Sequence, residues 1–417
     1  MPRQFFISAG EASGEYYGAL LIESLKRRIA NKAEPSRFFG MGGPRMVDAG
    51  LDRVVRAEDM AVMGVTEVAL HLPRIYREFR KLRQSIRNRR PDVAVLIDFP
   101  DIHFRLAQEL HRLGIPVIYF VSPQLWAWKK HRIELVRKYV TRMAVIFPFE
   151  EAFYRERGID AEFVGHPLAE LPPPTIRREQ FAAENGLDPK RTWIGLLPGS
   201  RITEIRDNLP EIIEAARRLA TPNPSAAHQT EQYEFVVPLA PTLNTVQRNR
   251  VCRLAERHGG SLPVRIVNDA RATLHHARAS IVASGTATVE AALIGNPFVV
   301  VYRVSPVTYA IAKRVVHVPH VAMANLIAGK LVVPELIQHD FTASKIVQHL
   351  APLLPDGPRR QSMMQELAGI RNALNTRPQA DAKEEKSAIE RVAAMVLDQL
   401  HAPSGAVARP GVPTDGS

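Results

Sequence analysis

The sequence predicts an α/β protein built from two doubly wound, Rossmann-like domains, and three features support this fold class. The chain has 417 residues, more than a single hydrophobic core usually organises. Short apolar runs alternate with amphipathic stretches, as in parallel sheets that are covered by helices on both faces. The proline run LPPP, Leu171–Pro174, separates two such series. We therefore expect two domains that face each other across a cleft.

The first series predicts a strand over Gln4–Ala9, a glycine-containing loop and a helix over about residues 15–29. DVAVLID and PVIYFV are uninterrupted apolar runs, which are typical of strands buried on both faces. The remaining strands of both series are predicted at Arg37–Phe39, Asp92–Asp98, Pro116–Val121, Met143–Phe147, Trp193–Leu197, Glu234–Pro238, Val264–Val267, Ser280–Ser284 and Phe298–Tyr302.

These elements predict four regions. Residues 1–170 form a first domain, and residues 171–345 form a second. Residues 346–401 are expected to be helical. Residues 402–417 are rich in proline and glycine and are expected to be a disordered tail.

Composition narrows the class of protein. Hydrophobic residues make up 46% and charged residues 24% of the chain, which is ordinary for a globular protein. No uninterrupted apolar run reaches the roughly 18 residues of a membrane span, and the first residues lack the apolar core of a signal peptide. The single cysteine, Cys252, excludes internal disulfides. These features predict a cytoplasmic protein, and the net charge of +12 favours either an anionic partner or merely a basic surface.

Two strand-to-helix loops of the second domain resemble anion-binding sites. Pro198-Gly199-Ser200-Arg201 combines a small glycine, a helix start and a guanidinium. A capped helix with a surface arginine is the equally supported alternative. Ser284-Gly285-Thr286 opens another helix, and Glu290 follows about one turn later. A carboxylate there suits either helix capping or hydrogen bonding to ribose hydroxyls, and two anion loops in one domain favour a nucleotide diphosphate.

Asp98 and Asp101 follow the buried strand VAVLI of the first domain. A carboxylate at this position can remove a proton from a substrate hydroxyl. Helix capping is the alternative, and it suits Asp101 better than Asp98. The sequence has no DxD, HExxH, CxxC or Walker motif, and GMGGP does not match GxGxxG. His317 and His320 form a solitary HxxH in a proline loop, a pattern that is more often structural than a metal site. We therefore expect neither a metal nor a cofactor.

A region from Val65 to Arg90 combines clustered apolar residues with many cations. This combination suits a surface that dips into an anionic membrane, whereas a core helix with a solvated basic face is the alternative. The apolar residues are Val65, Val68, Leu70, Leu72 and Ile75, and the cations are Arg74, Arg77, Arg80, Lys81, Arg83, Arg87, Arg89 and Arg90.

Motifs from near Phe5 to near Gln338 together resemble the lipid-A-disaccharide synthase family of GT-B glycosyltransferases. They occur in the family's order as SAGEASGE, FGMGGPRM, MGVTEV, PDVAVLIDFPD, YFVSPQLWAWKKHRI, FPFEEAFY, VGHPL, LLPGSR, SGTATVEAAL and NLIAGKLVVPELIQ. The resemblance implies transfer of 2,3-diacylglucosamine from its UDP conjugate to the 6-hydroxyl of 2,3-diacylglucosamine 1-phosphate. It also implies C-terminal helices that pack back on the first domain, and work at the inner face of the inner membrane.

The resemblance further implies roles for single residues. Asp98 would be the base, and Arg201 would stabilise the leaving UDP. The remaining residues would bind substrate: Gly199, Ser200, Ser284, Gly285, Thr286, Glu290, Asn325, Glu335, Gln338, Glu11 and Ser13. Members of this family can dimerise, which leaves a homodimer open.

Three alternatives remain at this point. A UDP-N-acetylglucosamine 2-epimerase would share the nucleotide contacts but would need no lipid acceptor. A nucleic-acid-binding protein is disfavoured because aromatic residues are only 7% of the chain and no recognised module appears. A membrane-surface scaffold would give no reason for Asp98 or Glu290.

Overall fold

A computed structural model describes residues 2–30, 36–60, 65–127, 132–221, 232–304, 309, 319–375 and 387–401. The chain divides into two compact units. The first comprises residues 1–167 together with 377–417, and the second comprises residues 168–376. No described helix is both long enough and apolar enough to cross a membrane. The predicted tail, residues 402–417, lies outside the described residues.

The first unit contains a seven-stranded parallel sheet in the order β3-β2-β1-β4-β5-β6-β7. Every residue of the central strand β4 is buried, as expected for a sheet covered on both faces. The strands are β1 (Arg3–Ala9), β2 (Ser36–Gly42), β3 (Leu51–Arg56), β4 (Val93–Ile97), β5 (Val117–Phe120), β6 (Arg142–Val145) and β7 (Ala161–Phe163).

Helices connect these strands and cover both faces of the sheet. They are α1 (Ala12–Ala30), α2 (Pro44–Asp48), α3 (Ala57–Met60), α4 (Val65–Arg89), α5 (Pro100–Arg112), α6 (Ile133–Tyr139) and α7 (Pro148–Arg155). The last described helix, α16 (Ala388–His401), packs against α1. This contact confirms that the last described helix packs back on the first domain.

The second unit contains a six-stranded parallel sheet in the order β10-β9-β8-β11-β12-β13. Its strands are β8 (Thr192–Leu197), β9 (Tyr233–Pro238), β10 (Val264–Val267), β11 (Ala279–Ala283), β12 (Phe298–Tyr302) and β13 (Glu335–Ile337). Its helices are α8 (Arg178–Asn185), α9 (Ile202–Ala220), α10 (Thr245–Gly259), α11 (Ala270–His276), α12 (Thr286–Ile294), α13 (Met323–Ala328), α14 (Ala343–Leu350) and α15 (Pro358–Asn375). Helix α15 packs against α12 and α13 and so belongs to this unit.

The predicted fold class is confirmed by these two parallel sheets with interleaved helices. Three strands were not predicted, namely β3, β7 and β13, and all three lie at sheet edges. An edge strand is less buried and can be short. Strand β3 carries charged residues along LDRVVR, and β7 and β13 have three residues each, so none of them shows the long apolar run that marks a central strand.

Candidate functional sites

The strand order of each sheet reverses at one point, between β1 and β4 in the first unit and between β8 and β11 in the second. Open α/β sheets bind ligands outside the carboxyl ends of the strands at such a point. The loop after β1 carries Glu11, and the loop after β4 carries Asp98. The loop after β8 carries Arg201, and the loop after β11 carries Ser284. The topology therefore places the predicted chemistry of each unit at its switch point.

Asp98 lies in a strained segment of backbone. Its own φ is 52° and that of Phe99 is 53°, both in the left-handed region although neither residue is glycine. Each such residue costs about 1–3 kcal/mol and persists only where its surroundings enforce it, often at functional sites. The backbone N–H of Asp98 donates to the carbonyl of Phe120 at 2.9 Å, so the strain begins where the β4 ladder ends.

The loop after β1 lies against this strained segment. A Cβ on Gly10 would be 2.4 Å from Cγ of the Phe99 ring, so only glycine allows the two loops to approach this closely. Glu11 is exposed, and Ser13 is half-buried in the first turn of α1. The charge of Glu11 acts on Asp98, so the structure brings this predicted substrate-binding residue close to Asp98.

The carboxyl group of Asp98 has a strongly altered acidity. Burial, and to a lesser extent the charge of Glu11, raise its pKa to about 7, although a hydrogen bond from the backbone of Phe99 acts to lower it. A carboxyl group that titrates near neutrality is suited to accept a proton during a reaction. Asp101, in contrast, pairs with Arg132 at 2.5 Å, and its side chain is 73% exposed. Of the two aspartates, only Asp98 therefore lies in a buried environment that raises its pKa.

Two buried side chains that were not predicted hold the carbonyl of Asp98. The hydroxyl of Tyr119 donates to it at 2.7 Å, and Nδ1 of His103 lies 2.5 Å from it. Nε2 of His103 lies 2.8 Å from Oγ of Ser8. Burial lowers the pKa of His103 to about 4, so the ring is neutral near pH 7. His103 lies on α5, and no sequence motif marked it as a functional residue.

The loop after β8 adopts the form expected for an anion site. Gly199 has a φ of +128°, which favours glycine, and α9 begins two residues after Ser200. Nδ2 of the buried Asn208 donates to the carbonyl of Pro198 at 2.9 Å. This hydrogen bond ties the loop to the helix that follows it.

A carboxylate of the chain itself occupies the N–H groups of this loop. Oε2 of Glu204 accepts from the backbone N–H of Ser200 at 3.1 Å and of Arg201 at 3.3 Å. Nη1 of Arg201 donates to the other carboxylate oxygen, also at 3.3 Å. The loop therefore binds a carboxylate and caps the helix in the same geometry, so the two alternatives raised by the sequence are compatible.

The loop after β11 is open. Gly285 has a φ of +145°, and a Cβ there would meet no atom within 4 Å. Among the described residues, the hydroxyls of Ser284 and Thr286 have no hydrogen-bond partner, whereas Oγ1 of Thr288 donates to the carbonyl of Gly285 at 2.8 Å. Two hydroxyls and the first N–H groups of α12 are thus available to an anionic ligand.

Glu290 lies in the second turn of α12 and is half-buried. Burial raises its pKa, Arg271 lowers it and Asp269 raises it. Its carboxylate accepts no hydrogen bond from any described residue. Tyr302, at the end of β12, was not predicted. Burial and then Glu204 raise its pKa while Arg201 lowers it, which places this phenol near the β8 loop.

Three residues predicted to bind substrate have side chains that form hydrogen bonds within the second unit. Oδ1 of Asn325, which is fully buried, accepts from the backbone of Val333 at 2.9 Å, and Nδ2 donates to Glu335 at 2.8 Å. Glu335 also accepts from the backbone of Ala322 at 2.9 Å. Oε1 of Gln338 accepts from the backbone of Val304 at 2.8 Å. These contacts fix the backbone around β12, β13 and α13.

Most cations of α4 are paired with carboxylates. Arg83 and Arg87 both bind Glu109 of α5, at 2.9 Å and 2.6 Å. Lys81 binds Glu78 at 2.9 Å, and Arg74, Arg77 and Arg89 have acidic partners as well. Ile75 is half-buried and packs on the core of the unit. The side chains of the other predicted membrane residues lie outside the described ones, namely Val65, Val68, Leu70 and Leu72.

Comparisons with known proteins agree with this geometry. The family model "Lipid-A-disaccharide synthetase" matches residues 5–390. A lipid-A-disaccharide synthase of Acidobacterium capsulatum is 60% identical over 380 residues, covering 89% of this chain and 92% of that protein. The calicheamicin glycosyltransferase CalG4 superposes with a TM-score of 0.55 at 18% identity, over 98% of this chain and 100% of that one.

The UDP-GlcNAc 2-epimerase of Neisseria meningitidis, solved bound to UDP-GlcNAc, superposes equally well. Its TM-score is 0.57 at 14% identity, over 90% of this chain and 97% of that one. At such low identities, these two structures show that the fold is shared by enzymes of both kinds. The sequence identity to the Acidobacterium protein, and not the fold, favours the synthase family over the epimerases.

Proposed function

The chain belongs to the lipid-A-disaccharide synthetase family, and we propose that it joins two acylated sugars of lipid A biosynthesis. The donor is UDP-2,3-diacylglucosamine and the acceptor is 2,3-diacylglucosamine 1-phosphate. The products are the β-1,6-linked disaccharide 1-phosphate and UDP. The observation that carries this proposal is the pair of switch points, one with a carboxyl group whose pKa is about 7 and one with two loops suited to a diphosphate.

The second unit is proposed to bind the donor. The diphosphate of UDP binds the loop that ends at Arg201 and the open loop that ends at Thr286. The diphosphate takes the place of the Glu204 carboxylate, and the contacts of that carboxylate with the N–H groups of Ser200 and Arg201 support this placement. Glu290 accepts hydrogen bonds from the ribose. Asn325, Glu335 and Gln338 support this binding end of the sheet through the backbone contacts described above.

The first unit is proposed to activate the acceptor, with Glu11 and Ser13 binding it near the base. The carboxylate of Asp98 removes the proton of the 6-hydroxyl as this oxygen forms a bond to the anomeric carbon of the donor. The bond from the anomeric carbon to the diphosphate oxygen breaks, and its electron pair leaves with UDP. Attack opposite the leaving group inverts the anomeric centre. Arg201 and the helix starts stabilise the charge that develops on UDP.

Glu290→Gln is expected to weaken binding of UDP by about 10- to 100-fold, because a hydrogen bond to a charged group contributes roughly 1.5–3 kcal/mol. Titration calorimetry with UDP measures this change. The matched ligand is 2′,3′-dideoxy-UDP, which lacks both ribose hydroxyls and should bind the wild type and the variant equally. An equal loss for both ligands would show that Glu290 does not contact the ribose.

The apolar residues at the start of α4 are proposed to contact an anionic membrane surface at the inner face of the inner membrane, where the lipid substrates reside. Replacing Val68 and Leu72 together by Asp should lower binding to anionic phospholipid vesicles by about tenfold or more. Co-sedimentation with vesicles measures the bound fraction. Val246→Asp is the control, because Val246 is 60% exposed on the second unit. Equal binding of both variants would contradict the proposal.

The reaction itself is tested with purified protein, both acylated sugars and detergent micelles. Release of UDP that depends on the acceptor, together with a disaccharide product, is the expected result. The epimerase alternative predicts binding of the UDP-sugar and inversion at its C2 without any acceptor. Intact UDP-sugar binding with no disaccharide would therefore rule out the synthase reaction for this chain.

A further inference from the structure

We propose that His103 is a positioning residue for the reaction, which holds Asp98 in its left-handed conformation through the carbonyl oxygen of Asp98. This inference rests on the proposed role of Asp98 as the base. His103 is fully buried, so it cannot touch a substrate and acts only through Asp98. The sequence motif gave no sign of this role, because the contact joins a side chain of α5 to the backbone carbonyl of Asp98 in the loop before that helix.

The hydrogen-bond pattern fixes the tautomer of the His103 ring. A carbonyl oxygen only accepts, so Nδ1 of His103, 2.5 Å from the carbonyl of Asp98, carries the proton. The buried ring is neutral near pH 7, so Nε2 is unprotonated and accepts from the hydroxyl of Ser8 at 2.8 Å. The ring can make both contacts in this one tautomer only.

The residues that hold this network lie on the two strands that neighbour β4. Ser8 lies on β1, which pairs with β4 on one edge, and Tyr119 lies on β5, which pairs with it on the other. Tyr119 is also fully buried, and its hydroxyl donates to the same carbonyl at 2.7 Å. Both lone pairs of the Asp98 carbonyl are thereby occupied. The peptide between Asp98 and Phe99 cannot rotate without leaving two buried donors unpaired, which locks the direction of the Asp98 side chain.

Amide substitutions of similar size separate this role from simple packing. In His103→Asn the amide nitrogen takes the place of Nδ1 and can still donate to the Asp98 carbonyl. In His103→Gln the amide lies farther out, where Nε2 was, and this donor is lost. We expect His103→Gln to lower kcat by about 10- to 100-fold, as small misplacements of a reacting group do. The KM for the UDP-sugar should stay unchanged, and His103→Asn should keep most of the wild-type kcat.

A double-mutant cycle of His103 and Asp98 tests whether His103 acts through Asp98. Adding His103→Gln to Asp98→Asn should cause no further loss of kcat, because a residue that positions the base has nothing left to position. A further loss in the double variant would overturn the proposal, as would equal kcat values for His103→Asn and His103→Gln. If His103→Gln does not fold, Tyr119→Phe removes one of the two donors without altering the ring, and it should lower kcat with KM unchanged.

The tautomer gives a test that does not depend on activity. The ¹⁵N chemical shifts of the His103 ring, assigned by comparison with His103→Asn, should show a neutral ring protonated at Nδ1 at about pH 6. A ring protonated at Nε2 could not donate to Asp98 and would overturn the proposal. If the tautomer is confirmed but the wild type forms no disaccharide, the proposed reaction fails while the hydrogen-bond network stands.

Discussion

Asp98→Asn is expected to lower kcat by about 10²- to 10⁴-fold, the usual contribution of a general base. The substitution keeps the size of the side chain and removes only its ability to accept a proton. Binding of UDP should be unchanged, since the nucleotide is assigned to the second unit. Steady-state rates of disaccharide formation and calorimetry with UDP measure the two quantities separately.

Asp101→Asn is the matched control for this variant. Asp101 lies three residues further along the same segment, but it is exposed and paired with Arg132. An exposed ion pair contributes little, so the control should retain most of the activity. Equal losses in the two variants would mean that both carboxylates of this segment are required, and the loss in Asp98→Asn would no longer identify Asp98 as the base.

The pH dependence of the wild type provides an independent test of the same role. A base acts in its ionised form, and the pKa of Asp98 is raised to about 7 by burial and by Glu11. The value of kcat/KM should therefore rise with pH through about 7 and then level off. Glu11→Gln removes a like charge, so the midpoint should move to lower pH. A profile that is flat between about pH 5 and 8 would contradict the assignment.

The position of Asp98 was predictable from the sequence, because a carboxylate that follows an uninterrupted apolar strand must lie at the end of that strand. The same logic identified the loops at Gly199 and Gly285, where glycine, hydroxyls and a helix start are neighbours in the chain. Local sequence order specifies such features. Their location at the two switch points depends only on which strands neighbour each other.

The environment of these residues could not be predicted in the same way. Tyr119 contacts Asp98, and Ser8 contacts His103, from distant positions in the chain. The raised pKa of Asp98 comes chiefly from burial. The contacts of Asn325 also depend on folding: the family resemblance implies that it binds substrate, and the structure shows its amide oxygen accepting from the backbone of Val333. Contacts of this kind arise from tertiary packing, which residue spacing does not encode.

Arg201→Ala is expected to lower kcat by about 10²- to 10³-fold, as does removal of one donor to a developing charge in other enzymes. The charge on UDP grows as its bond to the sugar breaks, so the loss should appear mainly in kcat and less in the affinity for UDP. Arg201→Lys should fall between the wild type and Arg201→Ala, since lysine keeps the charge but not the forked geometry of the guanidinium.

Arg206→Ala is the control, because Arg206 lies one turn further along α9, is exposed and pairs with Asp207 at 2.8 Å. It should retain activity within about twofold, since such a surface pair contributes little.

The contacts of Glu204 allow an effect of Arg201→Ala on catalysis to be told apart from an effect on folding. In Arg201→Ala, Glu204 keeps its two backbone contacts and loses its cation, so the helix stays capped while the loop becomes more negative. A loss of thermal stability that matches the loss of kcat would assign Arg201 to folding, whereas a loss of kcat at unchanged stability assigns it to the leaving diphosphate.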